Sequence, residues 1–297
     1  MPASARPIGP VLDLGGCMRL VAGRSGWFVV NTNDVYIGQS IIRYGEYCWH
    51  EFELLQQVCK AGDIIVEVGA NIGTHTVGLA AKVGPGGRVI AYEPQPAIFQ
   101  LLCANVALNG LLNVDCRSVG LGDAAKAIEI PRCDYTRPGN FGGISLERAQ
   151  AGGMPVEIRT LDESFGAERV NLLKIDAEGM EIPVLRGAAN VIRRFKPVIY
   201  VENDRVERSR ELIELLQGLG YRLWWHLPPL FNAKNHFGNP ENVFRNLVSV
   251  NMLGLHEMSR VTVSGLKPIQ DTSEHPMAER RRTVRTAVRY PAPSSAV

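Results

Sequence analysis

The hydrophobic positions in the middle of the chain follow two alternating patterns. Continuously apolar runs such as 63–69, which ends at a glycine, are typical of strands buried on both faces of a sheet. Apolar residues at helical spacing follow in 74–83, and a Gly- and Pro-rich turn at 84–87 ends that pattern. The same patterns predict strands at 88–92, 114–119, 171–175, 197–201, 221–226 and 247–253, and helices at 96–109, 181–195 and 209–219.

This alternation predicts an α/β domain at 61–258. Right-handed crossovers between successive strands give a doubly wound, mostly parallel sheet that helices cover on both faces. We expect seven strands in this sheet, and the last two, with no long helix between them, should form an antiparallel hairpin at one edge.

Three segments do not follow this alternation. Residues 1–60 are expected to form an N-terminal lead-in and cap, with short strands at 27–30 and 35–37 and a helix at 51–60. The interval 120–165 contains short alternating runs around a Gly- and Pro-rich loop, which predicts a small β insertion. From 259 to 297 the sequence is polar and Arg-rich without periodicity, so we expect a disordered tail.

Composition narrows the class of protein. The 297 residues carry a formal net charge of +2 without a basic patch, which argues against a nucleic-acid partner. The six cysteines show no metal-type spacing, and reduced thiols are the default interpretation. The first ten residues do not resemble a signal peptide, and no apolar run is long enough to cross a membrane. We therefore expect a soluble, cytoplasmic protein with no membrane partner; its oligomeric state is left open.

The segment 67–75 links the first predicted strand to its helix, and its composition points to a nucleoside cofactor. Ligands of open α/β sheets bind beyond the carboxyl ends of the strands, and glycines let the backbone approach them. A dinucleotide site requires G-x-G-x-x-G, but Asn71 and Thr74 replace the second and third glycines here. Glu67, Gly69 and Gly73 instead match a methyltransferase loop, in which the acid accepts from the donor's ammonium group.

A second acid, Glu93, ends the next predicted strand. An acid at this place accepts hydrogen bonds from ribose hydroxyls in sites for either S-adenosylmethionine or NAD. Glu93 therefore supports a nucleoside cofactor, and the choice between the two cofactors depends on the first loop.

Over roughly residues 40–255 the chain resembles the FkbM family of methyltransferases. The resemblance is carried by 63–76, Tyr92-Glu-Pro94, Thr160-Leu-Asp162 and, most specifically, 173–181 running into 184–188. It implies a class I, Rossmann-like methyltransferase fold and O-methylation of a small molecule or sugar. S-adenosylmethionine is the expected cofactor, bound by Glu67, Gly69, Ala70, Asn71, Gly73, Thr74, Glu93, Pro94 and Asp176. Asn71 stands where the usual methyltransferase loop has its middle glycine, which is the family's own variant.

The acceptor side is expected at the ends of the fourth and fifth strands. Asp176 is a candidate catalytic residue, with the alternative that it caps the following turn; Glu178 contacts the acceptor or pairs with Lys174. Glu202 and Asn203 end the neighbouring strand and are candidate substrate-binding residues. Together with Asp176 they offer oxygen ligands suited to Mg²⁺, but we favour a site without metal.

The segment 224–239, between the last two strands, is aromatic and rich in hydrogen-bonding side chains, which suits a lid over a polyhydroxylated acceptor. Trp225 is a candidate acceptor contact. His226 and His236 are candidates for the base that takes the acceptor's proton, with structural roles as the alternative. His75 is expected to pack in the core or to contact the cofactor.

These patterns together predict a methyltransferase that uses S-adenosylmethionine, with a small molecule or sugar as acceptor. An NAD-dependent oxidoreductase is the enzymatic alternative, which the missing glycines disfavour. A non-catalytic module that has kept the cofactor fold is the alternative from another class.

Overall fold

A computed structural model describes residues 11–144, 152–165 and 169–278. Its first strands and helices in chain order are β1 (Leu12–Asp13), β2 (Met18–Ala22), β3 (Trp27–Asn31), α1 (Ile37–Tyr44), α2 (Trp49–Val58), β4 (Ile64–Val68), α3 (Thr74–Val83), β5 (Arg88–Tyr92), α4 (Pro96–Leu108) and β6 (Val114–Arg117). They are followed by β7 (Gly120–Leu121), β8 (Lys126–Ile130), β9 (Met154–Arg159), α5 (Leu161–Ser164), β10 (Leu172–Ile175), α6 (Glu181–Gly187), α7 (Ala189–Phe195), β11 (Val198–Glu202), α8 (Val206–Gly218), β12 (Tyr221–His226), β13 (Asn251–His256) and β14 (Lys267–Pro268).

The main sheet has the strand order β14-β12-β13-β11-β10-β4-β5-β6. The strands from β11 to β6 are parallel, and β13 runs antiparallel between β11 and β12. The predicted antiparallel pairing of the last two long strands is confirmed. Seven strands were expected, but the sheet of the described residues has eight, because β14 pairs with β12. Its two residues are too few to give a hydrophobic pattern.

Helices cover both faces of this sheet. Because successive strand residues face opposite sides, neighbouring residues of one strand pack against different helices. On β4, Ile65 packs in a cluster with side chains of α2 and α3, and its neighbour Val66 packs in the cluster that includes α6, α7 and α8. Both faces are therefore apolar, which explains the continuous apolar runs in the sequence.

The N-terminal cap is a three-stranded antiparallel sheet, β1-β2-β3, followed by α1 and α2. Two asparagines hold the edge strand β3, Asn105 on α4 and Asn109 directly after it. Each bonds both the N–H and the C=O of one β3 residue, Val29 and Trp27 respectively. The cap is thus joined to the α/β domain by side-chain amides that take the place of a neighbouring strand.

Two expected elements differ from the structure. The strand expected at 35–37 is instead a turn that leads into α1 at Ile37, because the Asp34 carboxylate accepts the backbone N–H groups of Tyr36 and Ile37, as an N-terminal cap does. The helix expected at 181–195 is divided into α6 and α7 at Ala188. There Gly187 lies so close to the carbonyl of Gly122 that a Cβ would overlap it.

The expected β insertion forms a small sheet of order β7-β9-β8. The expectation of disorder from 259 onward is not met up to residue 278. In that segment β14 pairs with β12, Ile269 is buried, and the ring N–H of His275 donates to the carbonyl oxygen of Asn203 at 2.8 Å. Residues 279–297 of the expected tail lie outside the described residues. Within the described ranges, none of the helices has the length and apolar character needed to cross a membrane.

Candidate functional site

A cavity of about 300 Å³ lies at the carboxyl ends of β4, β5, β10 and β11. Strand ends and the turns that follow them form its floor, and the N-terminal cap, the insertion and the segment between β12 and β13 form its walls. The lining residues are Glu67, Gly69, Ala70, Asn71, Thr74, His75, Glu93, Lys174, Asp176, Glu178, Glu202 and Asp204 from the α/β domain, Tyr36, Ile37, Tyr47 and Glu51 from the cap, Asn140 and Gly142 from the insertion, and Leu230, Leu247, Val248, Ser249 and Val250 from the last segment.

The turn after β4 can pack as it does because of its glycines. Gly69 has φ +78° and lies against the backbone of Asp176, so that a Cβ would overlap the Asp176 carbonyl oxygen. Gly73 also has positive φ (+86°), and its position before α3 lets the helix begin at Thr74. Asn71 adopts φ +50°, which asparagine tolerates better than most residues. The turn therefore exposes its backbone to the cavity at the start of α3.

Glu67 is 1% exposed at the end of β4. Its carboxylate accepts a hydrogen bond from the Thr76 hydroxyl at 2.6 Å and lies 3.7 Å from the Lys174 ammonium. Burial raises the pKa of Glu67, while Lys174 and Thr76 oppose that rise. A carboxylate held this way is fixed in position and keeps acceptor capacity for a cationic ligand.

Glu93 is 3% exposed after β5, and its two oxygens accept the backbone N–H groups of Asn71 (3.0 Å) and Gln95 (2.9 Å). Burial raises its pKa to about 7, against these hydrogen bonds. Because Glu93 fixes both the glycine turn and the turn after β5, it sets the position of two walls of the cavity. Each oxygen retains a second lone pair for a ligand hydroxyl.

A smaller cavity of about 40 Å³ adjoins Glu93. Its lining includes Pro94 and apolar residues that the sequence analysis did not identify, namely Val119, Leu121, Ile144 and Ala177. This recess is mostly apolar and lies next to the Glu93 carboxylate. The signal in the sequence was weak, because these residues come from the insertion and from two turns distant along the chain.

Three carboxylates, Asp176, Glu178 and Glu202, come together on the other side of the cavity, with one oxygen of each lying within 4.8 Å of the others. Burial, together with the charges of Asp176 and Asp204, raises the pKa of Glu178 to about 8, while the charge of Arg205 opposes that rise. Burial also raises the pKa of Glu202 well above its usual value, and its Oε2 has no hydrogen-bond partner in the described residues. This cluster can accept hydrogen bonds or a proton.

The contacts of these acids differ from those expected from the sequence. Lys174 lies 3.5 Å from Asp176 and does not pair with Glu178, whose carboxylate is instead 3.8 Å from Arg205. Asn203 does not join Asp176 and Glu202: its amide donates to the Ser209 hydroxyl at 2.9 Å, away from the cavity. Neighbouring strand residues face opposite ways, so Glu202 and Asn203 do not share this site.

The three candidates on the aromatic segment also lie outside the cavity lining. Trp225 is buried and its ring meets that of His275 edge to face. His226 forms a 2.7 Å hydrogen bond with the Tyr200 hydroxyl, and burial lowers its pKa to about 4; it lines a separate cavity of about 790 Å³. His236 is exposed, and its backbone N–H donates to the buried carboxylate of Glu46. The structure thus gives neither histidine a place beside the cavity.

The parallel strands from β11 to β6, the glycine turn after β4 and the reversed strand β13 beside β11 form a Rossmann-like α/β fold. The chain belongs to the FkbM methyltransferase family: the model described as Methyltransferase FkbM domain matches residues 67–223. The resemblance drawn from the sequence is confirmed.

Three curated relatives are methyltransferases by name. The chain is 30% identical over 148 residues to Methyltransferase 1 of Beauveria bassiana, covering 41% of this chain and 57% of that protein. It is 30% identical over 190 residues to methyltransferase sdnD of Sordaria araneosa, covering 53% and 73%. It is 28% identical over 160 residues to hexuronic acid methyltransferase AglP of Haloferax volcanii, covering 49% and 58%. The match thus spans little more than half the length of the first and third of these relatives.

Solved structures with a similar chain path include the methyltransferase FkbM from Methylobacillus flagellatus, with a TM-score of 0.43, 18% identity, and coverage of 66% of this chain and 44% of that one. The O-methyltransferase TomG from Streptomyces achromogenes, solved in complex with SAM, has a TM-score of 0.43 and 15% identity, with coverage of 70% and 79%.

Proposed function

We propose that this protein transfers the methyl group of S-adenosylmethionine to a hydroxyl oxygen of a small molecule or sugar. The observation that carries the proposal is the arrangement of Glu67, the Gly69 turn and Glu93 around one cavity. The family match and the methyltransferase relatives support it.

The donor side follows from the positions of the two acids. Glu93 accepts from the ribose hydroxyls, and the recess beside Pro94 holds the adenine. Glu67 faces the amino-acid end of S-adenosylmethionine. The free N–H groups at the start of α3 face the carboxylate of that ligand. Bound in this way, S-adenosylmethionine supplies an activated methyl group whose transfer needs alignment more than further activation.

The acceptor side is the cluster of Asp176, Glu178 and Glu202. Carboxylates accept hydrogen bonds from hydroxyls, which suits a polyhydroxylated acceptor, and the name of AglP supports a sugar. As the new oxygen–carbon bond forms and the carbon–sulfur bond breaks, the hydroxyl proton passes to this cluster. Glu178, with a pKa of about 8, is suited to take a proton near neutral pH. Neither His226 nor His236 lines the cavity, so the cluster replaces them as the proton acceptor in this proposal.

Calorimetric titration with S-adenosylhomocysteine and with NAD tests the cofactor. We expect saturable binding of S-adenosylhomocysteine and none of NAD; the reverse result would support an oxidoreductase. Transfer of an isotopically labelled methyl group to neutral sugars, uronic acids and small phenols then tests the acceptor class. Binding without transfer to any acceptor would favour a non-catalytic module.

A further inference from the structure

Helix α2 brings a buried carboxylate into the cavity from outside the segment that matches the family. Glu51 lies in the first turn of α2, is 4% exposed, and lines the same cavity as Glu67. Its Oε1 lies 3.6 Å from His75 Nδ1 and 3.9 Å from the Lys174 ammonium, and its Oε2 accepts from the Asn251 amide at 3.4 Å. A charged group is rarely buried without a purpose or a partner.

The charges around Lys174 do not balance. Its ammonium lies 3.9 Å from Glu51, 3.7 Å from Glu67 and 3.5 Å from Asp176, so one cation faces three carboxylates. Burial raises the pKa of Glu51 to about 7, because Lys174 compensates only part of the cost of its charge. A second cation in this place would stabilise the ionised carboxylates.

His75 adds an open hydrogen-bonding position next to Glu51. It is 4% exposed, and its ring stacks on Phe52 with the two planes 5° apart. Burial lowers its pKa well below the usual value, so the ring is neutral and does not supply the missing positive charge. Its Nδ1 faces Glu51, whereas its Nε2 is buried without a hydrogen-bond partner in the described ranges. A buried polar atom without a partner in a cavity wall indicates a ligand or water.

The order of the strands decides which end of a ligand these groups meet. Glu93 follows β5, Glu67 lies on β4, and Lys174 lies on β10, the next strand along. A nucleoside held at Glu93 therefore directs its other end towards Glu67 and Lys174, where α2 contributes Glu51. In S-adenosylmethionine that other end carries an ammonium group.

We propose that Glu51 binds the ammonium group of the methyl donor together with Glu67. The inference rests on the proposed function and extends it to the N-terminal cap. The cap then selects donors by their amino-acid end, besides closing the cavity.

Two related ligands separate this role from a general effect on the site. S-adenosylhomocysteine carries the amino-acid end, whereas 5′-methylthioadenosine keeps the adenosine and the sulfur but lacks that end. We expect Glu51→Gln to weaken the binding of S-adenosylhomocysteine roughly tenfold or more, the effect of losing a hydrogen bond to a charged group. The affinity for 5′-methylthioadenosine should change less than about twofold, because this ligand has no group that contacts Glu51. Isothermal titration of the full chain measures both.

Glu53→Gln is the matched control, because Glu53 lies on the same helix but is exposed and pairs with His50. It should leave both affinities unchanged. If Glu51→Gln does not fold, Glu51→Asp withdraws the charge by one methylene and must show the same selective loss.

Equal weakening of the two ligands, or no weakening of either, would overturn the role of Glu51 and leave the proposed function intact. Failure of the unmodified protein to bind S-adenosylhomocysteine would overturn the proposed function and this inference with it.

Discussion

The two halves of the cavity, which the proposed function assigns to the donor and to the acceptor, are built in different ways. On the donor side, contacts join turns that follow neighbouring parallel strands, as when Glu93 accepts the N–H groups of Asn71 and Gln95. On the acceptor side, the walls are assembled from segments far apart along the chain. The Asn232 amide, for example, donates to Glu46 in the cap, 186 residues away.

The carboxylates of the two halves are correspondingly different. Glu67 and Glu93 each accept hydrogen bonds from fixed donors, whereas Glu202 Oε2 has no partner in the described part of the chain. A half whose groups are already bonded is preorganised for one ligand. The other half has hydrogen-bond acceptors without partners and walls from separate segments, so it can differ between relatives that use the same methyl donor. We infer that specificity for the methyl acceptor lies there.

Substitution at Gly69 should break the donor half most severely. In Gly69→Ala the new Cβ meets the Asp176 carbonyl and φ is positive, so we expect a loss of about 2–5 kcal/mol in the free energy of unfolding. Gly84→Ala is the control, since Gly84 also has positive φ but nothing within 4 Å of a Cβ. Urea denaturation measures both variants, and equal losses would show that the close approach to Asp176 costs nothing.

Deletion of residues 265–297 should loosen the acceptor half. It removes β14, the buried Ile269 and the bond from His275 to the Asn203 carbonyl, next to Glu202. Relative to a protein lacking only 279–297, we expect a loss of about 2–4 kcal/mol from one buried Ile and one hydrogen bond. Thermal and urea unfolding measure it. An unchanged stability would support the disordered tail expected from the sequence.

Removal of the Glu93 carboxylate should lower the affinity for the methyl donor without unfolding the protein. We expect Glu93→Ala to reduce the binding free energy of S-adenosylhomocysteine by about 1.5–3 kcal/mol, the contribution of a hydrogen bond to a charged group. Titration calorimetry measures the change, and circular dichroism checks the fold. Asp123→Ala, which removes an exposed acid that does not line the cavity, should have no effect. An unchanged affinity in a folded Glu93 variant would exclude this residue from the site.

Acidity should weaken nucleoside binding to a smaller extent. Burial, with a smaller contribution from the charge of Asp176, raises the pKa of Glu93 to about 7 in the free protein. At pH 6 most of Glu93 is therefore protonated and accepts ribose hydroxyls poorly, whereas at pH 8 it is ionised. We expect 5′-methylthioadenosine to bind roughly tenfold more weakly at pH 6 than at pH 8, about 1.4 kcal/mol. Glu93→Gln should flatten the profile; equal affinity at both pH values in the unmodified protein would contradict it.

The strand-end residues of both halves were predictable from the sequence, because they follow strands with strong patterns. Glu67, Gly69 and Glu93, and likewise Asp176, Glu178 and Glu202, all line the cavity, since the carboxyl ends of parallel strands meet at one edge of the sheet. Other expected acceptor residues, namely Asn203, Trp225, His226 and His236, do not line it. Glu202 and Asn203 were grouped as neighbours, although a period of two sends them to opposite faces.

The two histidines and Glu51 show a different limit. His226 was proposed for its chemistry, but the pairing of β12 places it against Tyr200. Glu51 was overlooked, because nothing in 1–60 indicates that α2 packs beside α3 and faces Lys174. Both depend on how distant segments pack together, which no local pattern records.

Asn105 on α4 and Asn109 directly after it also bear on the behaviour of the protein in concentrated solution. An edge strand such as β3 offers unpaired N–H and C=O groups on which a strand of another molecule can assemble. Asn105 and Asn109 occupy these groups at Val29 and Trp27, so the cap presents less open edge to its neighbours. Leucine at both positions would leave that edge free, and we expect such a protein to aggregate by strand addition at lower concentrations than the unmodified chain.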